Sequence, residues 1–245
     1  MNALAARAAE KARAADGPAL AAELFEGLRR IGADGVGITR ETYGAGENAA
    51  HDLLERTARA HGLATARDPA ANLLVSLPDM QAGLAPTAAS PCAIVGSHLD
   101  SVPQGGNFDG AAGVVAGLLA LLRMRDAGAR PAVAPTLMVV RGEESAWYGK
   151  AYLGSLALFG RLAAEDLALA HRAGGGRTLA DAMQAAGADL DRIRAGARLL
   201  DPAAVRAYFE LHIEQGPVLV ARRMPTAIVT GIRGNIRHVR VRARG

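Results

Sequence analysis

Two histidines, two aspartates and a pair of adjacent glutamates stand out in this chain because each follows or interrupts a run of apolar residues. The first group lies in Gly96-Ser97-His98-Leu99-Asp100-Ser101-Val102-Pro103-Gln104-Gly105-Gly106-Asn107-Phe108-Asp109-Gly110. On an extended chain, residues two apart point the same way, so His98 and Asp100 can share one side. That pairing suits a histidine ligand whose other ring nitrogen is held by a carboxylate. Gly105 and Gly106 permit a sharp turn that brings Asp109 back toward His98. Asp109 then stands at the start of a predicted helix, where the dipole favours negative charge. Asp109 alone would read as a helix cap, and His98 alone as a satisfied core histidine. Together, in a glycine-rich loop after a buried strand, they point to metal binding.

The second group, Arg141-Gly142-Glu143-Glu144-Ser145, follows an apolar strand ending at Val140. Adjacent glutamates at such a place are costly to bury unless cations neutralise them. One can ligate a metal while its neighbour acts as a general base. Alone, such a pair is ordinary surface charge. The third group is Glu210-Leu211-His212-Ile213-Glu214-Gln215-Gly216-Pro217, in which Leu211 and Ile213 alternate with Glu210, His212 and Glu214. The alternation puts His212 on a polar side, where an exposed strand-end histidine is the competing reading. His51, His61, His171 and His238 lack comparable surroundings and read as surface or incidental. Ser97 and Ser101 lie near His98, but no G-x-S-x-G elbow accompanies them. No G-x-G-x-x-G or P-loop pattern follows a strand, so nucleotide binding is not indicated.

These groups need a scaffold that delivers them to one place. Residues 3–15 and 18–31 read as two helices parted by Gly17-Pro18, and residues 47–61 as another. Strands are expected at Asn72 to Leu77, Pro91 to Ser97, Thr136 to Val140, Ala207 to Ile213, Thr226 to Thr230 and Ile236 to Arg244. A long apolar helix covers 110–127, polar-patterned helices and loops cover 161–205, and a short helix runs from Gln215 to Arg222. This alternation predicts an α/β fold, a three-layer α/β/α sandwich with a mostly parallel central sheet. Sites in such sheets gather where loops leave the C-terminal ends of strands.

Half of the 245 residues are hydrophobic and only 4% aromatic, so the core rests on Ala, Leu, Val and Ile. The net charge of +4 comes almost entirely from arginine. The nearest approach to a basic patch is Arg233, Arg237, Arg240, Arg242 and Arg244. The last three alternate with apolar residues as a half-buried strand would, so a nucleic-acid partner is not expected. Cys92 is the only cysteine, which excludes an internal disulfide and suits the reducing cytoplasm. No apolar run is long enough for a membrane span.

The three groups, read as GSHLDSVPQGGNFDG, RGEESAWYGKAYLGS and ELHIEQGPVL in this order, resemble the M20 family of metallohydrolases. Within it they are similar to the N-carbamoyl-L-amino-acid hydrolase, allantoate amidohydrolase and β-ureidopropionase branch. ELHIEQGP resembles that branch in particular, because peptidase members usually carry an acidic residue at the position of His212. The resemblance spans about residues 20–245 and implies a zinc-exopeptidase-like fold holding two divalent metal ions, Zn or Mn, Co or Ni. It implies that Asp109 bridges the ions, His98 and His212 complete one ion's protein ligands, and Glu144 ligates the other. It implies that Glu143 is the general base, Asp100 orients His98, and Gln215 contacts a small ureido or amide substrate. A cis Asp109–Gly110 peptide is also implied. The activity implied is hydrolysis of linear C–N bonds, as in N-carbamoyl-L-amino acids or allantoate-like acids. A catalytic domain is expected over 1–229, with residues 230–245 opening an incomplete lid and dimerisation domain. The chain is therefore expected to be a C-terminally truncated piece of a homodimeric parent, with negligible turnover alone. The competing readings are a catalytically incompetent remnant and an M20 peptidase or deacylase.

Overall fold

Continuous apolar runs bounded by turn residues become the central sheet, and the amphipathic or apolar helical segments cover it. A computed structural model describes residues 3–231. They form two units, residues 1–213 and 214–245, with the fold carried by the first. Its elements in chain order are α1 (Ala3–Gly32), α2 (Ala45–Ala60), β1 (Ala64–Arg67), β2 (Leu73–Ser76), β3 (Cys92–His98), α3 (Ala111–Asp126), β4 (Ala134–Val140), α4 (Leu153–Leu158), α5 (Leu179–Ala185), α6 (Leu190–Arg194) and β5 (Val205–Phe209).

The sheet order is β1-β2-β4-β3-β5. β3 runs parallel to both β4 and β5, whereas β2 is antiparallel to β1 and β4. Four of the five strands thus share one direction and β2 alone is reversed, in keeping with the expected mostly parallel sheet. The parallel register sets His98 opposite Val140 and Val95 opposite Phe209. The three sequence groups therefore leave three adjacent strands at the same end.

Alternation along the strands divides the core. Leu73, Val75, Leu137 and Val139 face Leu24 and Leu28 of α1, Leu54 of α2, and Val114, Leu118 and Leu121 of α3. Leu74, Cys92, Ile94 and Met138 face the opposite layer, packing with Leu158 of α4 and with Leu200 and Ala204. A third cluster joins Tyr43, Trp147, Tyr148, Leu153, Leu179 and Met183 beside the sheet.

Several expectations need correction. The N-terminal segment is one helix with Pro18 inside it, not two. Proline keeps a helical φ, so its missing N–H removes a bond from the ladder without forcing the chain out. β1 was not expected; its burial pattern is only partial, and Arg67 and Thr65 hide its strand character. The last strand of this unit ends at Phe209, so Glu210 to Ile213 are irregular rather than alternating. In the second unit the helix α7 (Val218–Ala221) is shorter than expected, and the Glu214 carboxylate accepts from the N–H groups of Val218 and Leu219 at its start, at 3.1 and 2.7 Å. No strand forms at Thr226 to Thr230; a strand needs a ladder for its peptide groups, and none of the described residues supplies one. The expected strand from Ile236 to Arg244 lies outside the described residues.

His51 and His171 are not on the surface. His51 is completely buried because it shares the inner face of α2 with Glu47, Ala50, Leu54 and Ala58. His171 stacks on Trp147 with ring centroids 5.4 Å apart and meets Tyr148 edge-on. His61 is half-buried, and His238 lies outside the described residues. A buried ion pair joins α2 to the turn after β4. Glu47 of α2 and Arg141, both without solvent exposure, approach to 3.3 Å. Glu47 also accepts from the N–H groups of Tyr43 and Gly142, at 2.6 and 3.0 Å.

Two stability measurements follow. Leu137→Ala, at a fully buried position against α3, is expected to lower unfolding free energy by about 2–5 kcal/mol, seen as an earlier urea midpoint at unchanged slope. Glu47→Ala leaves Arg141 as an uncompensated buried charge, with an expected loss of about 3–5 kcal/mol. A midpoint within error of the parent would contradict either assignment.

Candidate functional site

His98, the last residue of β3, is 2% exposed. Its Nδ1 lies 3.2 Å from Asp100 Oδ1 and 3.1 Å from the Asp100 carbonyl oxygen. With that nitrogen engaged, Nε2 faces Asp109 Oδ1 at 4.0 Å and Glu143 Oε2 at 3.8 Å. His212 approaches the same Asp109 oxygen with its Nε2 at 3.3 Å, and its Nδ1 is 2.8 Å from the Ile213 carbonyl. The ligand atoms of His98, Asp109 and His212 lie within 4.8 Å of one another.

This donor set fits a divalent cation. Two imidazole nitrogens and a carboxylate oxygen suit Zn and neighbouring first-row metals. A carboxylate on the remote nitrogen of His98 fixes the ring so that Nε2 is presented. Glu144, expected on the other ion, is not one of these three donors. Its main chain is tied in instead: the N–H of Glu144 donates to Asp100 Oδ2 and that of Glu143 to Asp100 Oδ1, both at 3.1 Å.

Asp100 is completely buried and joins the first two sequence groups. Besides His98 and the two N–H groups, it accepts the Thr42 hydroxyl at 2.6 Å. The turn after β4 depends on Gly142, whose φ is +60° and whose added Cβ would stand 2.6 Å from Thr42 Cγ2. On the other loop, Gly110 has φ +63°, and a Cβ there would meet the His98 carbonyl at 2.5 Å and its ring at 2.7 Å. No cis peptide occurs among the described residues, so the expectation for Asp109–Gly110 is corrected. The positive φ of Gly110 turns the chain into α3 with a trans bond, which avoids the cost of a non-proline cis peptide.

The charges of the site are mutually shifted. For Glu143, burial outweighs the opposing pull of His98, and Asp100, Glu210 and Asp109 add to a raised pKa. Glu144 is pushed up to about 7, by burial and then by Glu143. Burial disfavours His98 cation, but the hydrogen bond and charge of Asp100, with Glu143, override it and raise His98 to about 9. Crowded carboxylates that resist ionisation are what a cation would relieve.

Sequence reasoning missed Thr42, Glu47 and Arg40, which stand behind the two loops, and the hold on Glu210. Ser97 donates to Glu210 Oε1 at 3.0 Å, and the Tyr208 hydroxyl to its Oε2 at 3.2 Å. Residues 38–44 carry no helical or strand period, so nothing in their spacing announces them. Gln215 belongs to the second unit.

Known proteins resemble this chain over most of its length. An N-carbamoyl-L-amino acid amidohydrolase of Geobacillus stearothermophilus is 40% identical over 217 residues, covering 87% of this chain and 51% of that protein. An N-carbamoyl-L-amino-acid amidohydrolase of Paenarthrobacter aurescens is 35% identical over 89% of this chain and 50% of its own length. The crystal structure of a hydantoinase/carbamoylase family amidase from Burkholderia ambifaria superposes with a TM-score of 0.64 at 33% identity, covering 83% of this chain and 47% of that one. The chain spans about half the length of the curated relatives it matches. The profile of peptidase family M20/M25/M40 matches residues 94–243, which include all three sequence groups, and the chain belongs to that family.

Proposed function

We propose that this chain carries the metal-binding part of an amidohydrolase acting on linear amide or ureido C–N bonds, with N-carbamoyl-L-amino acids or related ureido acids as its substrates. The observation that carries this reading is the convergence of His98, Asp109 and His212 from two strand ends, with Glu143 3.8 Å from His98. The relatives' names supply the substrate class.

In this reading His98, Asp109 and His212 would hold one divalent ion, and Glu144 would help hold a second, the metals being Zn, Mn, Co or Ni. Such ions supply Lewis acidity, drawing charge from the scissile carbonyl and making water more acidic. Glu143 takes the proton from the attacking water and returns it to the leaving nitrogen. Its raised pKa, set by burial and neighbouring carboxylates, suits a group that must hold a proton for part of the cycle. Asp100 keeps His98 in the tautomer that presents Nε2, and Gln215 contacts the substrate. Water adds to the carbamoyl carbon, the amine departs as the amino acid, and the carbamate formed decomposes to ammonia and carbon dioxide. Residues 1–229 form the catalytic part, and the protein acts as a homodimer in the cytoplasm. No helix among the described residues is long and apolar enough to cross a membrane.

Metal titration of the purified chain tests the site directly. Zn²⁺ is expected to bind, and His98→Ala together with His212→Ala to abolish that binding. Equal affinity in the double variant would contradict the ligand set. In protein that carries this sequence and releases ammonia from N-carbamoyl-L-amino acids, chelation abolishes turnover, and Glu143→Gln lowers kcat by about 10²–10⁴-fold at unchanged metal content. Activity surviving that substitution would remove Glu143 from its role.

A further inference from the structure

Residues 38–43 run beside the glycine-rich loop and are fastened to it at several points. Ile38 and Gly105 exchange both backbone hydrogen bonds, at 3.0 and 2.8 Å. The Arg40 N–H donates to Ser101 Oγ and the Ser101 N–H to the Arg40 carbonyl, both at 2.9 Å. The Arg40 side chain has no solvent exposure. Its Nε donates to the Leu99 carbonyl at 2.6 Å, and one terminal nitrogen lies 3.3 Å from Asn107 Oδ1. These contacts grip the loop on either side of its chemistry-bearing residues, next to His98 and Asp100 at one end and to Asp109 at the other. Thr42, two residues on and also fully buried, is thereby set 2.6 Å from Asp100 Oδ2.

A carboxylate has about four acceptor directions, and three hydrogen bonds fill most of those of Asp100. Oδ1 takes the Glu143 N–H with His98 Nδ1 3.2 Å away, whereas Oδ2 takes the Glu144 N–H and the Thr42 hydroxyl. The torsion that turns a carboxylate about its Cβ–Cγ bond is broad. The two peptide N–H groups engage one oxygen each, and the Thr42 hydroxyl is the remaining donor that sets the carboxylate on the Oδ2 side. The Thr42 hydroxyl comes from a different segment and, at 2.6 Å, donates the shortest hydrogen bond to Asp100.

We propose that Thr42 is a positioning residue of the metal centre, acting through Asp100 on His98 and on the Glu143–Glu144 main chain. The inference rests on the metal-binding reading given above. Loss of the hydroxyl lets Asp100 tilt, which frees the His98 ring and the two peptides together. A hydroxyl that merely satisfied the core would leave metal affinity untouched when replaced by a group of the same shape.

The test compares wild type, Thr42→Val and Thr42→Ser, each titrated with Co²⁺ by calorimetry and followed by the visible d–d absorption of the bound ion, with thermal midpoints measured alongside. Thr42→Val is expected to bind Co²⁺ about 10–100-fold more weakly with an altered d–d spectrum while still folded. Thr42→Ser is expected to restore both affinity and spectrum. Wild-type affinity and spectrum in Thr42→Val, or a Thr42→Ser chain as impaired as Thr42→Val, would overturn the proposal. So would a Thr42→Val chain that no longer folds, which would assign Thr42 to the core. A wild-type chain that binds no Co²⁺ would overturn the metal reading itself, an outcome distinct from equal binding by all three chains.

Discussion

Withdrawing a carboxylate from water costs several kcal/mol unless the protein returns the lost hydrogen bonds, and the architecture at the end of this sheet answers that cost at Asp100. Its donors come from Thr42 and the Glu143–Glu144 turn, with the His98 ring 3.2 Å away. Satisfying one buried group therefore locks the loop after β3 to the turn after β4, and both to the segment behind them. The ring of His98 inherits its direction from the same bonds. Its free nitrogen meets Asp109 and His212 because Asp100 has taken the other.

The rest of the fold makes that arrangement reachable. Parallel pairing of β3 with β4 and β5 brings three strand ends to the same edge of the sheet. Helices packed on both faces exclude water from the strands. Gly142 and Gly110 supply left-handed turns where a side chain would collide with Thr42 or His98. The Glu47–Arg141 pair anchors the start of the acidic turn through the Gly142 N–H. Buried networks of this kind are either fully satisfied or harmful, so the residues behind the site matter as much as those that face it.

Much of this was legible in the sequence. The apolar run before His98 and the one before Arg141 gave their strands, because a strand covered on both faces must be apolar throughout. The spacing of His98, Asp100 and Asp109 implied a shared centre, and three of the four expected metal-facing side chains do meet. Glu144 is expected on the other ion, and its carboxylate is crowded by Glu143, Asp100 and Asp109 in the same region. Pro18 suggested a helix break that packing and a compatible φ did not require. The trans Asp109–Gly110 bond followed from a positive φ that no sequence period reports. Thr42 was invisible for a different reason: its role comes from contact across 58 residues with Asp100, whereas periodicity registers only neighbours on one element.

The central claim is that Asp100 fixes both loops so that His98, Asp109 and His212 enclose one cation. A crystal structure of the chain soaked with Zn²⁺, with anomalous diffraction recorded at the zinc edge, tests it most directly. A strong peak is expected about 2.0–2.2 Å from His98 Nε2, His212 Nε2 and an Asp109 oxygen, with Asp100 still accepting from the Glu143 and Glu144 N–H groups. No peak within reach of those three side chains, or an Asp100 carboxylate turned away from those peptides, would contradict it.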